Sequence, residues 1–199
     1  KIMHSLNKPS ILITGSSRGI GKAIAKVCNQ NGFEVILHGR CKTKQLQALA
    51  EELNSSIVCF DVTKESEIKN AFLKLSKLDI LINCAGVNIS KPFDELTMED
   101  WELIYSVNVF GLANVIKYSY QLLKKSSPSK IINISSIKGT HSAVGRAAYA
   151  SSKAAVINLT ASLAKEFAPD ILVNCVSPGF TNTEMTEKTW SERIKNQVD

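Results

Sequence analysis

The chain has 199 residues, of which 44% are hydrophobic and 21% are charged, and its formal net charge is +6. This composition fits one globular domain with a sizeable core, and it excludes disordered and collagen-like classes. Apolar runs such as Ile11-Leu12-Ile13 are too short to cross a bilayer, so we expect a cytoplasmic protein with no membrane span.

The charged residues and the cysteines are dispersed along the chain. Basic residues form only short doublets such as Lys124-Lys125, which argues against nucleic acid as a partner. The five cysteines show no C-x-x-C spacing and have no histidine at ligand spacing. We therefore expect reduced thiols and no metal site.

Residues 10–27 have the pattern of a strand, a glycine-rich loop and a helix. A compact apolar run stops at Thr14, the loop carries Gly15, Gly19 and Gly21, and apolar positions at helical spacing follow. Glycines in such a loop let the backbone approach a pyrophosphate, which the helix N-terminus then holds. A plain tight turn would also need glycines, but the strand and helix around it favour a dinucleotide site.

The second predicted strand, residues 34–37, leads to Arg40. NAD-binding proteins place an acidic residue about 20 residues past the loop to bind the ribose hydroxyl, and this chain offers none there. Arg40 and Arg18 could instead hold a 2′-phosphate, although either could be a solvated side chain. The pattern favours NADP(H).

The alternation of strands and helices continues to residue 176. We predict further strands at residues 56–60, 79–82, 130–134 and 170–176, and helices at 44–53, 65–75, 97 to about 124, and 147–167. Residues 138–146 have the composition of a flexible linker, and the polar residues 184–199 that of a helical or mobile end. The pattern predicts an α/β fold, a doubly wound parallel sheet (Rossmann fold) in three αβα layers, as a single domain over residues 1–199.

Polar or small residues follow several strand ends, where open α/β sheets bind ligands. Asp61 could accept a hydrogen bond from an adenine amine, or it could cap the next turn. The small residues of Asn83-Cys84-Ala85-Gly86 permit close approach to a ribose, while Asn83 could equally pin two strands together. Asn108 interrupts the apolar face of the long helix, so it is either a structural device or part of a site.

Tyr149 and Lys153 are four residues apart in a predicted helix, so their side chains share one face. A cation beside the phenol lowers its pKa from the usual value of ~10 toward the neutral range. The pair is a candidate acid/base unit, although the spacing alone would also suit an ordinary surface pair.

Taken in order, these motifs closely resemble those of the short-chain dehydrogenase/reductase family, from about residue 10 to residue 183. The glycine loop resembles the family's cofactor loop, and residues 83–86 resemble its Asn-Asn-Ala-Gly motif with one Asn replaced by Cys84. Tyr149-x-x-x-Lys153 resembles its active-site motif. Ser136 and Asn108 stand where the family keeps two further catalytic residues.

This resemblance implies hydride transfer between a nicotinamide and a carbonyl carbon. Tyr149 would give the proton to the oxygen, Ser136 would hold that oxygen, and Lys153 would lower the Tyr149 pKa and bind the nicotinamide ribose. Asn108 would support a water relay. The implied cofactor contacts are Gly15, Ser17, Arg18, Gly19, Ile20, Gly21, Arg40, Asp61, Val62, Asn83, Ala85, Gly86, Tyr149, Lys153, Pro178, Gly179 and Thr183.

The resemblance also sets expectations for partners and for the chain end. The first expectation is a carbonyl reductase or alcohol dehydrogenase acting on a small molecule, and the second is a 3-oxoacyl-acyl-carrier-protein reductase. A non-catalytic NADP-binding regulator is the alternative of another class. We expect a homodimer or homotetramer. Family members usually continue for one more helix and strand, which this chain lacks or does not show.

Overall fold

The computed structural model describes residues 8–184, and within them six strands form one parallel sheet. The buried apolar runs of the sequence are its central strands, because a strand covered on both faces excludes polar side chains. The strands are β1 (Ser10–Ile13), β2 (Glu34–Gly39), β3 (Ser56–Cys59), β4 (Ile80–Asn83), β5 (Ser129–Ile134) and β6 (Ile171–Val176).

The strand order is β3-β2-β1-β4-β5-β6, and every neighbouring pair is parallel. The order reverses between β1 and β4, which is the point where doubly wound sheets bind ligands. All carboxyl ends lie on the same edge of the sheet. The predicted fold class and its alternation of strands and helices are confirmed.

Helices cover both faces of the sheet. Two of them begin where the sequence supplies a cap: Thr43 accepts a hydrogen bond from the Leu46 amide, and Thr97 and Asp100 form a capping box. The helices are α1 (Gly19–Gln30), α2 (Lys44–Leu53), α3 (Glu65–Phe72), α4 (Met98–Tyr105), α5 (Leu112–Lys125) and α6 (Ala147–Phe167).

The core forms two layers because successive side chains of a strand point to opposite faces. On β1, Ile11 and Ile13 pack toward α1 and α2, whereas Leu12 packs into the layer that contains residues of α3, α5 and α6. Both layers are buried, so helices cover the sheet on both faces.

Two segments differ from their predicted form. The long helix predicted from 97 to about 124 is interrupted by a π-helical segment, Ser106–Gly111, which separates α4 from α5. The predicted linker 138–146 begins within a short 3-10 helix, Ile137–Gly139, whose first turn is capped by Ser136. In residues 8–184, no helix is both long and apolar enough to cross a bilayer.

Candidate active site

The glycine loop between β1 and α1 depends on backbone conformations that other residues rarely adopt. Gly15 and Gly19 have φ angles of +66° and +53°. A Cβ atom at Gly21 would lie 2.5 Å from the carbonyl oxygen of Gly15, so the loop can close on the helix only with glycine there. Gly15 and Gly19 are therefore favoured by their positive φ angles, and Gly21 by the lack of space for a side chain.

The start of α1 suits an anion. Arg18 occupies the N-cap position, and its side chain makes no hydrogen bond to the first turn. Helix N-termini of this kind bind phosphate through their amide groups and the helix dipole. The loop therefore fits the pyrophosphate of a dinucleotide. Ser17 and Ile20 lie in it, and Ile20 lines both neighbouring cavities.

His38 fixes the base of this loop, a role that sequence reasoning did not assign to it. Its Nδ1 accepts a hydrogen bond from the Gly15 amide at 3.0 Å, and its Nε2 lies 3.0 Å from the carbonyl oxygen of Phe60. Since Nδ1 accepts, Nε2 must carry the proton and donate it. The hydroxyl of Ser16 accepts from the His38 amide at 2.7 Å. One buried imidazole thus ties the loop to β2 and to the end of β3.

Burial lowers the pKa of His38 to about 4, against the smaller raising effects of its bond to Phe60 and of Asp61. Between pH 6.5 and 4 the unfolded chain takes up a proton that the folded chain excludes, so stability is lost as pH falls through this window. The difference corresponds to roughly 3 kcal/mol when the window has been crossed. Protonation would also remove the acceptor for the Gly15 amide.

We expect His38→Asn to remove this histidine-dependent part of acid destabilisation. Urea unfolding of both proteins across this pH range measures it, with His141→Asn, an exposed histidine, as the control. The wild type and the control should lose stability more steeply than His38→Asn. Parallel pH profiles for all three proteins would show that His38 does not carry the effect.

The basic residues predicted to bind a 2′-phosphate lie at the edge of the sheet near β2. Arg18 and Arg40 are both exposed, and Arg40 is close enough to Asp61 to influence its pKa. Burial acts to raise the pKa of Asp61, but two hydrogen bonds from Thr63 and the nearby cations outweigh it and hold the pKa below its usual value. Asp61 caps its turn through one oxygen, which accepts from Thr63, and this realises the second of its two predicted roles.

Val62, a predicted cofactor contact, is a core residue. Its side chain is buried, and a Cβ atom added at Gly111 would meet it at 2.9 Å. Any contact of Val62 with a ligand at this edge must therefore use its backbone. The side chain belongs to the core layer that also contains Leu112 and Val115 of α5.

Asn83 joins β4 to β5, which is the structural alternative predicted for it. Its side-chain amide donates to Asn133 at 2.9 Å, and Asn133 in turn donates to Thr160 of α6 at 2.9 Å. The hydroxyl of Thr14 accepts hydrogen bonds from the amides of Cys84 and Ala85. The chain after β4 is therefore drawn against the glycine loop.

The backbones of Gly15 and Ala85 approach each other closely. A Cβ atom added at Gly15 would lie 2.9 Å from the Cα of Ala85. Gly86 is similarly surrounded, since its added Cβ would lie 3.2 Å from the Asn108 side-chain oxygen and 3.6 Å from the Lys153 nitrogen. The structure thus brings together four of the predicted residues: Ala85, Gly86, Asn108 and Lys153.

Asn108 lies in the π-helical segment, and its side chain is fully used within the protein. Its amide nitrogen donates to the Val87 carbonyl at 3.0 Å and to the Ser152 hydroxyl at 3.1 Å, and its oxygen accepts from the Val87 amide at 2.9 Å. π-helical segments are frequent at functional sites. Asn108 therefore anchors the segment after β4 to α6 and does not contact Lys153 by a hydrogen bond of its side chain.

Tyr149 and Lys153 lie on one face of α6, as predicted from their spacing. The Lys153 nitrogen is 5.9 Å from the centre of the Tyr149 ring and donates a hydrogen bond to the Ile134 carbonyl at 2.9 Å. The hydroxyl of Ser135 donates to the Lys153 carbonyl, which fixes α6 against the end of β5. The neighbouring Ser136 accepts from the Lys138 amide at 3.1 Å.

The electrostatics differ from the prediction that Lys153 lowers the pKa of Tyr149. Burial raises the pKa of Tyr149, while hydrogen bonding to Ser136 and the charge of Arg146 lower it by less. Burial also lowers the pKa of Lys153 to about 8, against the raising effects of Cys84 and Cys175. The Lys153 ammonium lies over the Tyr149 ring and donates to the Ile134 carbonyl, and the charge of Arg146 is a further, smaller influence that lowers the pKa of the phenol.

The segment after β6 closes the site. The Ile137 amide donates to the Pro178 carbonyl at 3.0 Å, and a Cβ atom at Gly19 would lie 3.4 Å from the Thr183 methyl group. One cavity is lined by residues from the glycine loop, from the end of β5, from α6 and from this segment, including Ile20, Ser136, Tyr149, Pro178, Gly179 and Thr183. In the described part of the chain, no group of His, Cys, Asp or Glu could hold a metal ion.

A dinucleotide loop and a serine–tyrosine pair on one cavity define a nicotinamide-dependent oxidoreductase as the class of protein. A family model described as short chain dehydrogenase matches residues 9–194, and the chain belongs to this family.

Among similar proteins, 3-oxoacyl-acyl-carrier-protein reductase FabG of Aquifex aeolicus is 39% identical over 197 residues, covering 94% of this chain and 79% of that protein. The structure entitled ElxO with NADP bound has a TM-score of 0.84 at 34% identity and covers 94% of this chain and 79% of that one. A gluconate 5-dehydrogenase from Burkholderia cenocepacia, in complex with NADP and tartrate, has a TM-score of 0.86 at 28% identity. The match covers 90% of this chain and 74% of that one.

Proposed function

We propose that this protein is an NADP(H)-dependent reductase of carbonyl compounds and dehydrogenase of the corresponding alcohols. The observation that carries the proposal is one cavity that is lined by Ile20, in the first turn of α1, together with Ser136 and Tyr149. A cofactor held by the loop would present its nicotinamide to the same cavity as the proton donor. The hydride could then reach the carbon, and the proton the oxygen, of one carbonyl group.

In this mechanism the bound cofactor supplies or accepts the hydride. Tyr149 gives its phenolic proton to the carbonyl oxygen, and the raised pKa of Tyr149 keeps that proton in place at neutral pH. Ser136 donates a hydrogen bond to the same oxygen and stabilises the charge that develops on it. Lys153, fixed by Ile134, supplies a positive charge beneath the ring.

Preference for NADP(H) is part of the proposal. It is supported by Arg18 at the start of α1 and Arg40 directly after β2, both of which are exposed. Arginine suits phosphate because its planar donors can form paired hydrogen bonds. NADP is also named with two of the similar structures.

We expect Arg40→Ala and Arg18→Ala each to raise the Kd of NADPH about tenfold, since a charge-assisted hydrogen bond contributes roughly 1.5–3 kcal/mol. The Kd of NADH should change little, because NADH lacks the 2′-phosphate. Fluorescence titration of both cofactors measures the two constants, with Lys130→Ala as a control of equal charge change at the opposite edge of the sheet. Tighter binding of NADH by the wild-type protein would refute the preference.

A 3-oxoacyl-acyl-carrier-protein reductase is the second candidate, favoured by the 39% identity to the Aquifex aeolicus protein of that name. The two candidates are separated by comparing kcat/KM for a 3-oxoacyl thioester on acyl-carrier protein with that for a free small ketone. A large advantage of the carrier-bound substrate would favour the second candidate, and its absence the first.

We further propose a cytoplasmic homo-oligomer, a dimer or a tetramer. Large apolar side chains on α4, and in the segment after it, are exposed in the single chain, among them Met98, Leu103 and Phe110. Contact with a second copy would cover them. All five cysteines are free thiols, which suits a reducing compartment.

A further inference from the structure

The cavity that Tyr149 lines also contains two positively charged side chains that do not contact the carbonyl oxygen in the proposed proton transfer. Its lining includes Lys138 and Arg146, and the described residues that line it include no Asp or Glu. Both cations are only partly exposed. Within residues 8–184, neither forms an ion pair with a carboxylate, so both remain available to an anionic ligand.

The two cations come from different elements that both lead to the catalytic residues. Lys138 lies two residues after Ser136 in the short 3-10 helix, and its nitrogen is 5.7 Å from the centre of the Phe180 ring. Arg146 is the N-cap residue of α6 and stands three residues before Tyr149, which lies in the first turn of that helix. Its charge reaches the Tyr149 phenol.

A polar side chain without a partner lines the same cavity. The side-chain oxygen of Asn88 is buried and has no hydrogen-bond partner among the described residues. A buried polar atom of this kind costs free energy unless a ligand or water satisfies it. A hydroxyl group would satisfy either orientation of the amide, because it can both donate and accept.

We propose that the substrate carries an acidic group, a carboxylate or a phosphate monoester, near the reacting carbonyl, and that Lys138 and Arg146 bind it. The inference rests on the proposed reductase function, since Tyr149 defines where the carbonyl lies. Arg146 would bind the acidic group near the Tyr149 phenol, and Lys138 would bind the same group from another side. Asn88 would then contact a hydroxyl or oxo group of the same molecule.

The test compares the rates at which the protein oxidises NADPH with matched neutral and anionic substrates. Acetoacetate is paired with methyl acetoacetate, and dihydroxyacetone phosphate with dihydroxyacetone, so the two pairs separate carboxylate from phosphate. We expect kcat/KM to favour the anionic member of at least one pair by tenfold or more, and the preference to weaken as salt is added. Equal kcat/KM within both pairs would overturn the proposal.

Variants assign the preference to the two side chains. Arg146→Gln and Lys138→Gln should each lower the anionic-to-neutral ratio of kcat/KM several-fold, and Arg146→Lys should restore part of it. If a variant also alters the pKa of Tyr149, kcat/KM changes equally for the anionic and the neutral substrate. The ratio of the two kcat/KM values therefore reports only the contact with the acidic group. Lys130→Gln, remote from the cavity, should leave the ratio unchanged. An unchanged ratio in both cavity variants, or a raised Kd of NADPH instead, would contradict the assignment.

Calorimetric titration of the NADP⁺-saturated protein separates this inference from the proposed reaction. Binding of an anionic member without turnover would support the acidic-group site and contradict the reductase function. Turnover of both members at equal rates would support the reductase function and overturn the acidic-group site. Neither binding nor turnover of any of the four compounds would overturn both.

Discussion

Replacing Tyr149 by Phe is expected to lower kcat by a factor of about 10²–10⁴, the range attributed to a general acid, with the affinity for NADPH nearly unchanged. The phenol is largely buried and lines the cavity with Ser136, and burial raises its pKa. Phe keeps the ring that packs beside Lys153 and removes only the proton donor. The loss should therefore appear in kcat and not in cofactor binding.

Steady-state kinetics and fluorescence titration with NADPH measure the two quantities in the same preparation. Tyr120→Phe is the matched control, because its ring packs against Phe167 in the core and lies outside the cavity. The control should keep full activity. Full activity of Tyr149→Phe would exclude Tyr149 as the proton donor.

Replacing Gly21 by Ala is expected to weaken NADPH binding by more than tenfold. The added Cβ atom would lie 2.5 Å from the Gly15 carbonyl oxygen and 3.0 Å from the Ser16 Cα, and both are backbone atoms that cannot turn aside. The loop must therefore move away from the start of α1. That movement separates the glycine turn from the helix amides, which together would hold the pyrophosphate.

The measurement is a titration with NADPH, made after circular dichroism has established that the variant is folded. Gly32→Ala is the control: its φ angle of +84° is also unfavourable for Ala, but no atom lies within 4 Å of the added Cβ. It should cost roughly 1–2 kcal/mol of stability and leave NADPH affinity intact. Equal affinities of Gly21→Ala and wild type would show that the loop does not need this close approach.

The fold was predictable because its signals are local. The strands β1 to β5 are short runs that are each followed by a helix with apolar positions at helical spacing, so the alternation alone predicts a parallel sheet. The site residues at strand ends follow from the same rule, because parallel strands end at one edge. Asp61, Asn83 and Ser136 could be located in this way without any knowledge of their contacts.

The role of His38 could not be predicted, because it depends on which strands are neighbours. Its partners are 23 residues away in the glycine loop and 22 residues away at the end of β3. Only the pairing of β2 with both β1 and β3 brings them together. No spacing in the sequence encodes a contact of that length.

The environment of Tyr149 was predicted only in part. The spacing of four residues correctly gives a shared helix face for Tyr149 and Lys153, but it does not say where the ammonium points. The Ile134 carbonyl attracts it at 2.9 Å, and burial then dominates the pKa of both groups. Arg146, the N-cap residue of α6, lowers the pKa of Tyr149 by less than burial raises it, a role that was not predicted from the sequence.

The π-helical segment around Asn108 was also beyond prediction. The sequence marks Asn108 as a polar interruption of an apolar helix face, but an i+5 hydrogen-bond pattern leaves no separate signal. The partners that explain it, Val87 and Ser152, come from the chain after β4 and from α6. Their assembly again requires the folded sheet.

Hydride transfer to a carbonyl carbon with Tyr149 as the proton donor is the central claim. Incubation with a reactive carbonyl compound and NADPH deuterated at C4, followed by mass spectrometry of the alcohol, tests it most directly. The account predicts deuterium on the carbinol carbon with the wild-type protein, and almost none with Tyr149→Phe at equal NADPH occupancy. An alcohol formed without deuterium, or the same labelled yield from both proteins, would contradict it.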